Sequence, residues 1–255
     1  MIPWFQFTVV HIGPIPIQVW GFFVALGMLV SMMIIAKRSK QYDLNKEVMM
    51  DLGLWMLVCG VVFARLFHIF FYELGFYISN PVEMLKIWHG GLSSFGGLFG
   101  ALIVIPFYLK KKKIRKSEIL KIADLLSFSA LFGWIIGRVG CFIIHDHIGR
   151  KSGFFLAIGS PDGSRLEMAL LEIIALIPLA YFFFLMDKKK KSYGFITSML
   201  FMYYGIVRFF LDFFRATDIT AADVRYLGLT PGQYFAIVLL IFGGYLYTRR
   251  VRIVV

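Results

Sequence analysis

Residues 121–150 read KIADLLSFSALFGWIIGRVGCFIIHDHIGR, and this stretch decides the fold. Between 121 and 144 it is almost wholly apolar, and a helix needs about 20 such residues to cross a hydrocarbon core. Arg138 sits inside the apolar run, and the polar His145-Asp146-His147 ends it. The rest of the chain agrees with a membrane setting. Of 255 residues, 59% are hydrophobic, 18% aromatic and 16% charged, where soluble domains run at about 45–50% apolar and about 25% charged. That excludes a soluble globular domain and a disordered chain. The 27 Lys+Arg against 15 Asp+Glu leave a net charge of +12, but the charges fall in short blocks between long apolar stretches. Such blocks are topology determinants and not a nucleic-acid surface.

Six further segments have the length and character of 121–144: 15–36, 48–72, 92–109, 166–186, 193–214 and 232–248. The expectation is an all-α polytopic membrane protein of about seven transmembrane helices. Eighteen basic residues fall on one side of the alternating connections, including Lys37, Lys110 to Lys113 and Lys188 to Lys191, against six on the other. The positive-inside rule then puts the N-terminus outside and the C-terminus in the cytoplasm. The first apolar segment has no positive n-region before it and reads as a retained span, not a signal peptide. Residues 1–255 read as a single transmembrane domain, with an extracytoplasmic loop or lid at about 145–166. No internal repeat is evident, which argues against transporters built from duplicated halves. Cys59 and Cys141 both lie in apolar runs. No disulfide framework, metal-ligand spacing or nucleotide motif follows, so no metal and no cofactor are expected.

A charge at the bilayer centre costs about 2.5–3.5 kcal/mol on insertion scales, so each intramembrane charge needs a partner or a task. Arg65 and His68 share one face of the second span. Tyr204, Arg208, Asp212 and Arg215 form a stripe along the sixth. With Arg138 and Glu172, these groups fall in the outer halves of four spans, and the positive excess suits a phosphate held by guanidinium donors. Internal ion pairs, such as Arg208 with Asp212, are the competing reading. Gly90, Gly91, Gly96 and Gly97 surround the start of the third span. They either let helices approach closely or leave backbone donors free for an anion.

The segments Gly137-Arg138-Val139-Gly140-Cys141-Phe142 through His145-Asp146-His147-Ile148-Gly149, Trp88-His89-Gly90-Gly91-Leu92-Ser93-Ser94-Phe95-Gly96-Gly97, and Tyr204-Gly205-Ile206-Val207-Arg208 through Asp212 and Arg215 occur in this order. With weaker matches at Trp20-Gly21, Ala64-Arg65-Leu66, Ala169-Leu170-Leu171-Glu172 and Gly232-Gln233, the chain resembles the prolipoprotein diacylglyceryl transferases over nearly its whole length. The resemblance implies transfer of the sn-1,2-diacylglyceryl group from phosphatidylglycerol to the lipobox cysteine of a prolipoprotein, with glycerol phosphate leaving. It implies a multi-pass protein of the bacterial inner membrane acting in lipoprotein biosynthesis, with its site facing outward. Its partners would be phosphatidylglycerol, the signal peptides of preprolipoproteins and membrane lipids, with no nucleic acid.

Carried over by position, Arg138 and Arg208 match essential arginines of the family, and Asp146 and Asp212 stand where an acid is usual. Gly149 closes the signature and Glu172 ends the fifth-span motif. Trp20 replaces a common Tyr, Cys141 a common Asn, and Phe95 a His proposed as catalytic. Since Phe95 takes no proton, either another group deprotonates the thiol here or the family His was never the base. His145, His147 and Asp146 are the candidate catalytic groups with Arg208, although two histidines around an acid also fit a solvated loop. Arg138, Arg208, Gly149, Gly96 and Gly97 are expected to bind the phosphate of phosphatidylglycerol. Arg65, Cys141, Glu172, Tyr204, Asp212 and Arg215 are expected to support it. The alternatives are an anion or lipid transporter, and a member of the family that has lost catalysis.

Overall fold

The computed structural model describes residues 1–87, 90–186, 192–219 and 222–254, the side chains of 15 and 250–254 excepted. Trp88, His89 and the basic block Lys188 to Lys191 thus lie outside the described residues. The elements are β1 (Val9–Ile12), β2 (Ile15–Gln18), α1 (Val19–Arg38), α2 (Lys46–Phe71), α3 (Leu74–Ser79), α4 (Ser94–Lys111) and α5 (Ile119–Ile144). They continue with β3 (Ile148–Lys151), β4 (Ile158–Ser160), β5 (Gly163–Glu167), α6 (Met168–Met186), α7 (Phe195–Leu211) and α8 (Pro231–Val254).

Six helical stretches among the described residues are long and apolar enough to cross a membrane, by length and composition: Val19–Tyr42, Lys46–Phe71, Ser94–Lys111, Lys116–Ile144, Met168–Met186 and Phe195–Phe214. The seventh expected segment, 232–248, lies in α8, a 24-residue helix that is not among those six. The protein is mostly helical and polytopic. Its outward apolar side chains, such as Phe107 at 68% and Phe184 at 60% exposure, suit contact with lipid and would be costly in water.

Two small sheets depart from the all-helical expectation. β1 and β2 form an antiparallel hairpin, and β3-β5-β4 is a three-stranded antiparallel sheet. The segment expected as a loop at 145–166 is largely this sheet. Ser160-Pro161-Asp162-Gly163 supplies its turn, with Gly163 at φ +120°. The expected start of the fifth span at 166 moves to Met168, because Leu166 and Glu167 belong to β5 and Glu167 pairs with Ile148.

Contacts divide the chain into two compact units, Met1–Ile34 with Ala123–Val255, and Ile35–Ile122. In the first, Phe128, Leu131, Leu176, Leu179, Phe183 and Ile196 form a buried core between α5, α6 and α7. Asp124 starts α7 from a distance: it accepts the Gly194 and Thr197 N–H groups at 2.7 and 2.9 Å. These are orphan donors of a helix N-terminus, which a buried carboxylate satisfies well. Thr230 and Gln233 cap α8 reciprocally, Gln233 N to Thr230 Oγ1 at 3.1 Å and Thr230 N to Gln233 Oε1 at 2.9 Å.

In the second unit, α2 packs on α4. Asn45 caps α2 by accepting the Val48 N–H at 2.9 Å, and Ser93 caps α4. A Cβ on Gly100 would stand 2.7 Å from Phe63 Cβ, so only glycine permits this approach. Tyr108 donates to Asp51 at 2.7 Å, and Lys112 pairs with the same carboxylate at 3.3 Å.

Candidate functional site

In the first unit, one carboxylate gathers the site. Glu172 lies one turn into α6 and is 1% exposed. Its Oε1 accepts from Trp134 Nε1 at 2.8 Å, Arg138 Nε at 2.9 Å and the Tyr204 hydroxyl at 3.3 Å; its Oε2 accepts from Arg208 at 3.3 Å. Trp134 and Arg138 are four apart on α5, so they share a face, and the guanidinium also lies 5.1 Å from the indole ring centre. Arg208 reaches Asp212 at 3.1 Å one turn further along. Arg215 approaches that same oxygen at 3.9 Å and pairs with Asp223. Thr230 donates to the other Asp212 oxygen.

The three arginines are thus cross-linked by two buried acids. The ion pairs expected as a competing reading exist, but they tie three helices into one network. Buried charges persist in apolar surroundings only when paired and hydrogen-bonded in this way. Glycine makes the room. A Cβ at Gly232 would stand 2.6 Å from Asp212 Oδ2 and 3.0 Å from Arg208 Nη2.

The network reaches the sheet through His147. Arg215 Nη2 lies 3.3 Å from His147 Nδ1, and His147 Nε2 lies 3.7 Å from Asp146 Oδ2. Burial, with Arg138, Arg215 and Arg208 nearby, holds the His147 ring well below the usual imidazole range. A ring so placed is a neutral acceptor for Arg215 and a poor base. His145 also titrates low, through burial. It donates to the Phe5 carbonyl and stacks on Trp4 with ring centres 4.5 Å apart. Asp146 is half exposed and, with His145, Arg215 and Asp223, lines a cavity of about 380 Å3.

Cys141 lies 4.0 Å from Arg138 Nη1. Cys141, Asp146 and His147 bring possible ligand atoms within 4.8 Å of one another. Arg138 and Arg215 flank the same three residues, a setting that favours an anion over a cation. Gly149 serves packing: a Cβ there would stand 2.8 Å from Leu166 Cβ and 2.9 Å from the Phe214 carbonyl oxygen. Gly149 also bridges Arg215 along the backbone.

Arg65, Gly96 and Gly97 belong to the second unit. Arg65 is buried and donates to the carbonyls of Glu83, Met84, Lys86, Gly90 and Gly91 at 2.5–3.3 Å. Its guanidinium is committed to folding the segment before α4. Gly96 packs on Phe67, where a Cβ would meet Phe67 Cβ at 2.5 Å, while Gly97 faces Ala64 at an ordinary distance. Phe95 is half exposed. Sequence reasoning missed Trp134, Asp223 and Thr230, and met Gly232 only as a weak family match without a role. Trp134 had a visible signal, its four-residue offset from Arg138; Asp223 and Thr230 lie in the segment after the sixth span, where no periodicity points to a partner.

A mostly helical polytopic membrane protein, with a guanidinium–carboxylate network where its helices meet a small sheet, is the class these features define. The chain belongs to the prolipoprotein diacylglyceryl transferase family, whose sequence profile matches residues 8–249. It is 30% identical over 243 residues to a phosphatidylglycerol–prolipoprotein diacylglyceryl transferase of Ehrlichia canis (strain Jake), covering 92% of each chain. The protein of that description from Wolbachia pipientis wMel is 30% identical over 94% of this chain and 93% of its own. That from Pseudomonas aeruginosa (strain LESB58) is 28% identical over 91% and 88%.

Proposed function

We propose that this protein transfers the diacylglyceryl group of phosphatidylglycerol to the lipobox cysteine of a prolipoprotein at the outer face of a bacterial inner membrane. The observation that carries the reading is the Arg138–Glu172–Arg208 network in a chain of this family. In the reaction the thiol sulfur bonds to the terminal glycerol carbon of the diacylglyceryl group. The bond from that carbon to the phosphate oxygen breaks, glycerol phosphate leaves with the electron pair, and the thiol loses its proton. Arg138 and Arg208 hold the phosphodiester and offset the charge that develops on the leaving oxygen. Their own cross-links to Glu172 fix them in place before the lipid arrives. The same positive field lowers the cost of a thiolate, whose unperturbed pKa is about 8.5.

Asp146 is the favoured proton acceptor, because it faces the larger cavity while the rings of His147 and His145 are engaged elsewhere. The β3–β5–β4 sheet, with the described residues 215–219 and 222–231, acts as the lid beneath which the signal peptide enters. Incubating purified protein with phosphatidylglycerol vesicles and a lipobox peptide should add one diacylglyceryl mass to the cysteine. Arg138→Ala and Arg208→Ala should each cut that rate by about 10²–10³-fold while the protein still inserts. Full activity in both variants would end the phosphate-anchoring role, and an unmodified peptide with the unaltered protein would end the reading.

A further inference from the structure

α8 carries none of the groups assigned to the transfer, yet its first turn packs on the guanidinium network. Thr230 caps this helix, and its Oγ1 accepts the Gln233 N–H at 3.1 Å. A hydroxyl that accepts there still has its own proton to give, and Thr230 gives it to Asp212 Oδ2. The Asp212 carboxylate is 1% exposed. Its Oδ1 faces Arg208 Nη2 at 3.1 Å and Arg215 Nη1 at 3.9 Å, but neither contact has hydrogen-bond geometry. Attraction between charges fixes no angle, whereas a hydrogen bond does. Among the described residues, the Thr230 hydroxyl alone therefore sets the rotation of this carboxylate.

Thr230 is itself held from two directions. The Gln233 amide oxygen accepts the Thr230 N–H at 2.9 Å, and the amide nitrogen donates to the Phe209 carbonyl at 3.1 Å. That second bond crosses to α7 at the residue after Arg208. The positive end of α8 also favours a carboxylate beside its first turn. Arg208 in turn is held between acids from two elements, with Glu172 Oε2 3.3 Å from Nη1 and Asp212 Oδ1 beside Nη2. With Asp212 turned away, the guanidinium keeps one anchor and can swing about it. We infer that Thr230 is a positioning residue: its hydroxyl fixes the Asp212 carboxylate, and Asp212 holds the Arg208 guanidinium at the angle at which it meets a phosphate. The phosphate rests on the proposed reaction; the chain from Thr230 to Arg208 does not. Thr230 acts through two other side chains and touches no reacting atom.

Three variants separate this role from helix capping. Thr230→Ser keeps the hydroxyl, and Thr230→Val keeps the shape without it. Thr230→Gly also lacks it, and glycine caps a helix nearly as well as threonine. In transfer from phosphatidylglycerol vesicles to a lipobox peptide, KM for the lipid should rise about tenfold in Thr230→Val and Thr230→Gly. It should stay within about twofold of the unaltered value in Thr230→Ser, and KM for the peptide should not move in any variant. An unchanged lipid KM in either hydroxyl-free variant overturns the inference. So does a fall in kcat alone, which is what a smaller folded fraction produces. The second arm needs no turnover. In nanodiscs with 15N-labelled arginine, the Nη1 and Nη2 resonances of Arg208, assigned by their loss in Arg208→Lys, should be separate, because each nitrogen has its own acid. They should stay separate in Thr230→Ser and merge in Thr230→Val and Thr230→Gly. Separate resonances in either hydroxyl-free variant, or merged ones in the unaltered protein, overturn the inference, so one folded variant suffices. The expected resonances without any transfer activity support the chain from Thr230 to Arg208 and refute the proposed reaction instead.

Discussion

Glu172 accepts from four side chains on two other helices. Removing it strands two buried guanidiniums, and breaking a buried pair on one side costs about 3–5 kcal/mol. Glu172→Ala should lower the unfolding free energy in detergent by that amount, whereas Glu172→Gln should lose less because the amide oxygen still accepts from Trp134. Glu167 makes a contrasting case, since its carboxyl is raised to about 8 from an ordinary 4.5. The folded state then binds the proton more tightly than the unfolded chain. Its stabilising contribution is complete below about pH 4.5 and declines as pH climbs to about 8. Thermal unfolding midpoints should fall across that range, and Glu167→Gln should flatten the decline. The acid at 172 was legible in the sequence as a charge inside an apolar run. The burial of Glu167 was not, because a residue at the edge of a span looks solvated until a strand covers it.

Helix starts and helix contacts depend on single polar or small residues. Asp124 accepts two backbone donors and the Thr197 hydroxyl, the last at 2.8 Å, from 70 or more residues away. An unsatisfied buried donor costs about 1–3 kcal/mol, so Asp124→Ala should destabilise by about 2–4 kcal/mol in a chemical unfolding series. In the α7–α8 contact, a Cβ on Gly205 would meet Leu240 Cγ at 2.8 Å and the Ala236 carbonyl oxygen at 2.9 Å. Gly205→Val should separate the two helices and reduce transfer together with stability; unchanged thermal unfolding would contradict this close packing. In the sheet, Arg165 joins Asp162 on one side to Asp218 on the other. Both carboxyls are held below their ordinary range chiefly by the hydrogen bonds from Arg165. Their contribution is present above about pH 4 and is lost as pH falls through the lowered values. The helices were readable from apolar run length, but most of these contacts were not: Asp124–Thr197, Gly205–Ala236 and Arg165–Asp218 each join residues far apart in sequence, and only Arg165–Asp162 is local.

At the scale of the whole molecule, the alternation of basic blocks argues for a cytoplasmic C-terminus and an external β3–β5–β4 sheet. Cysteines introduced singly by Ser152→Cys and Lys113→Cys should report this. A membrane-impermeant thiol reagent applied to intact spheroplasts should label the first and spare the second, and the reverse pattern would invert the orientation.

Composition and run length alone determined that this chain lives in a membrane and spans it repeatedly, because burying some 20 apolar residues in lipid outweighs any local preference. The signature around Arg138 likewise named the residues on which a phosphate site would be built. Only the tertiary structure decided which acids neutralise which arginines, that Arg65 holds a loop, and that a sheet stands over Glu167. Those outcomes depend on distances between segments that meet only after packing, and a linear pattern carries no information about which side chains then come within hydrogen-bond reach.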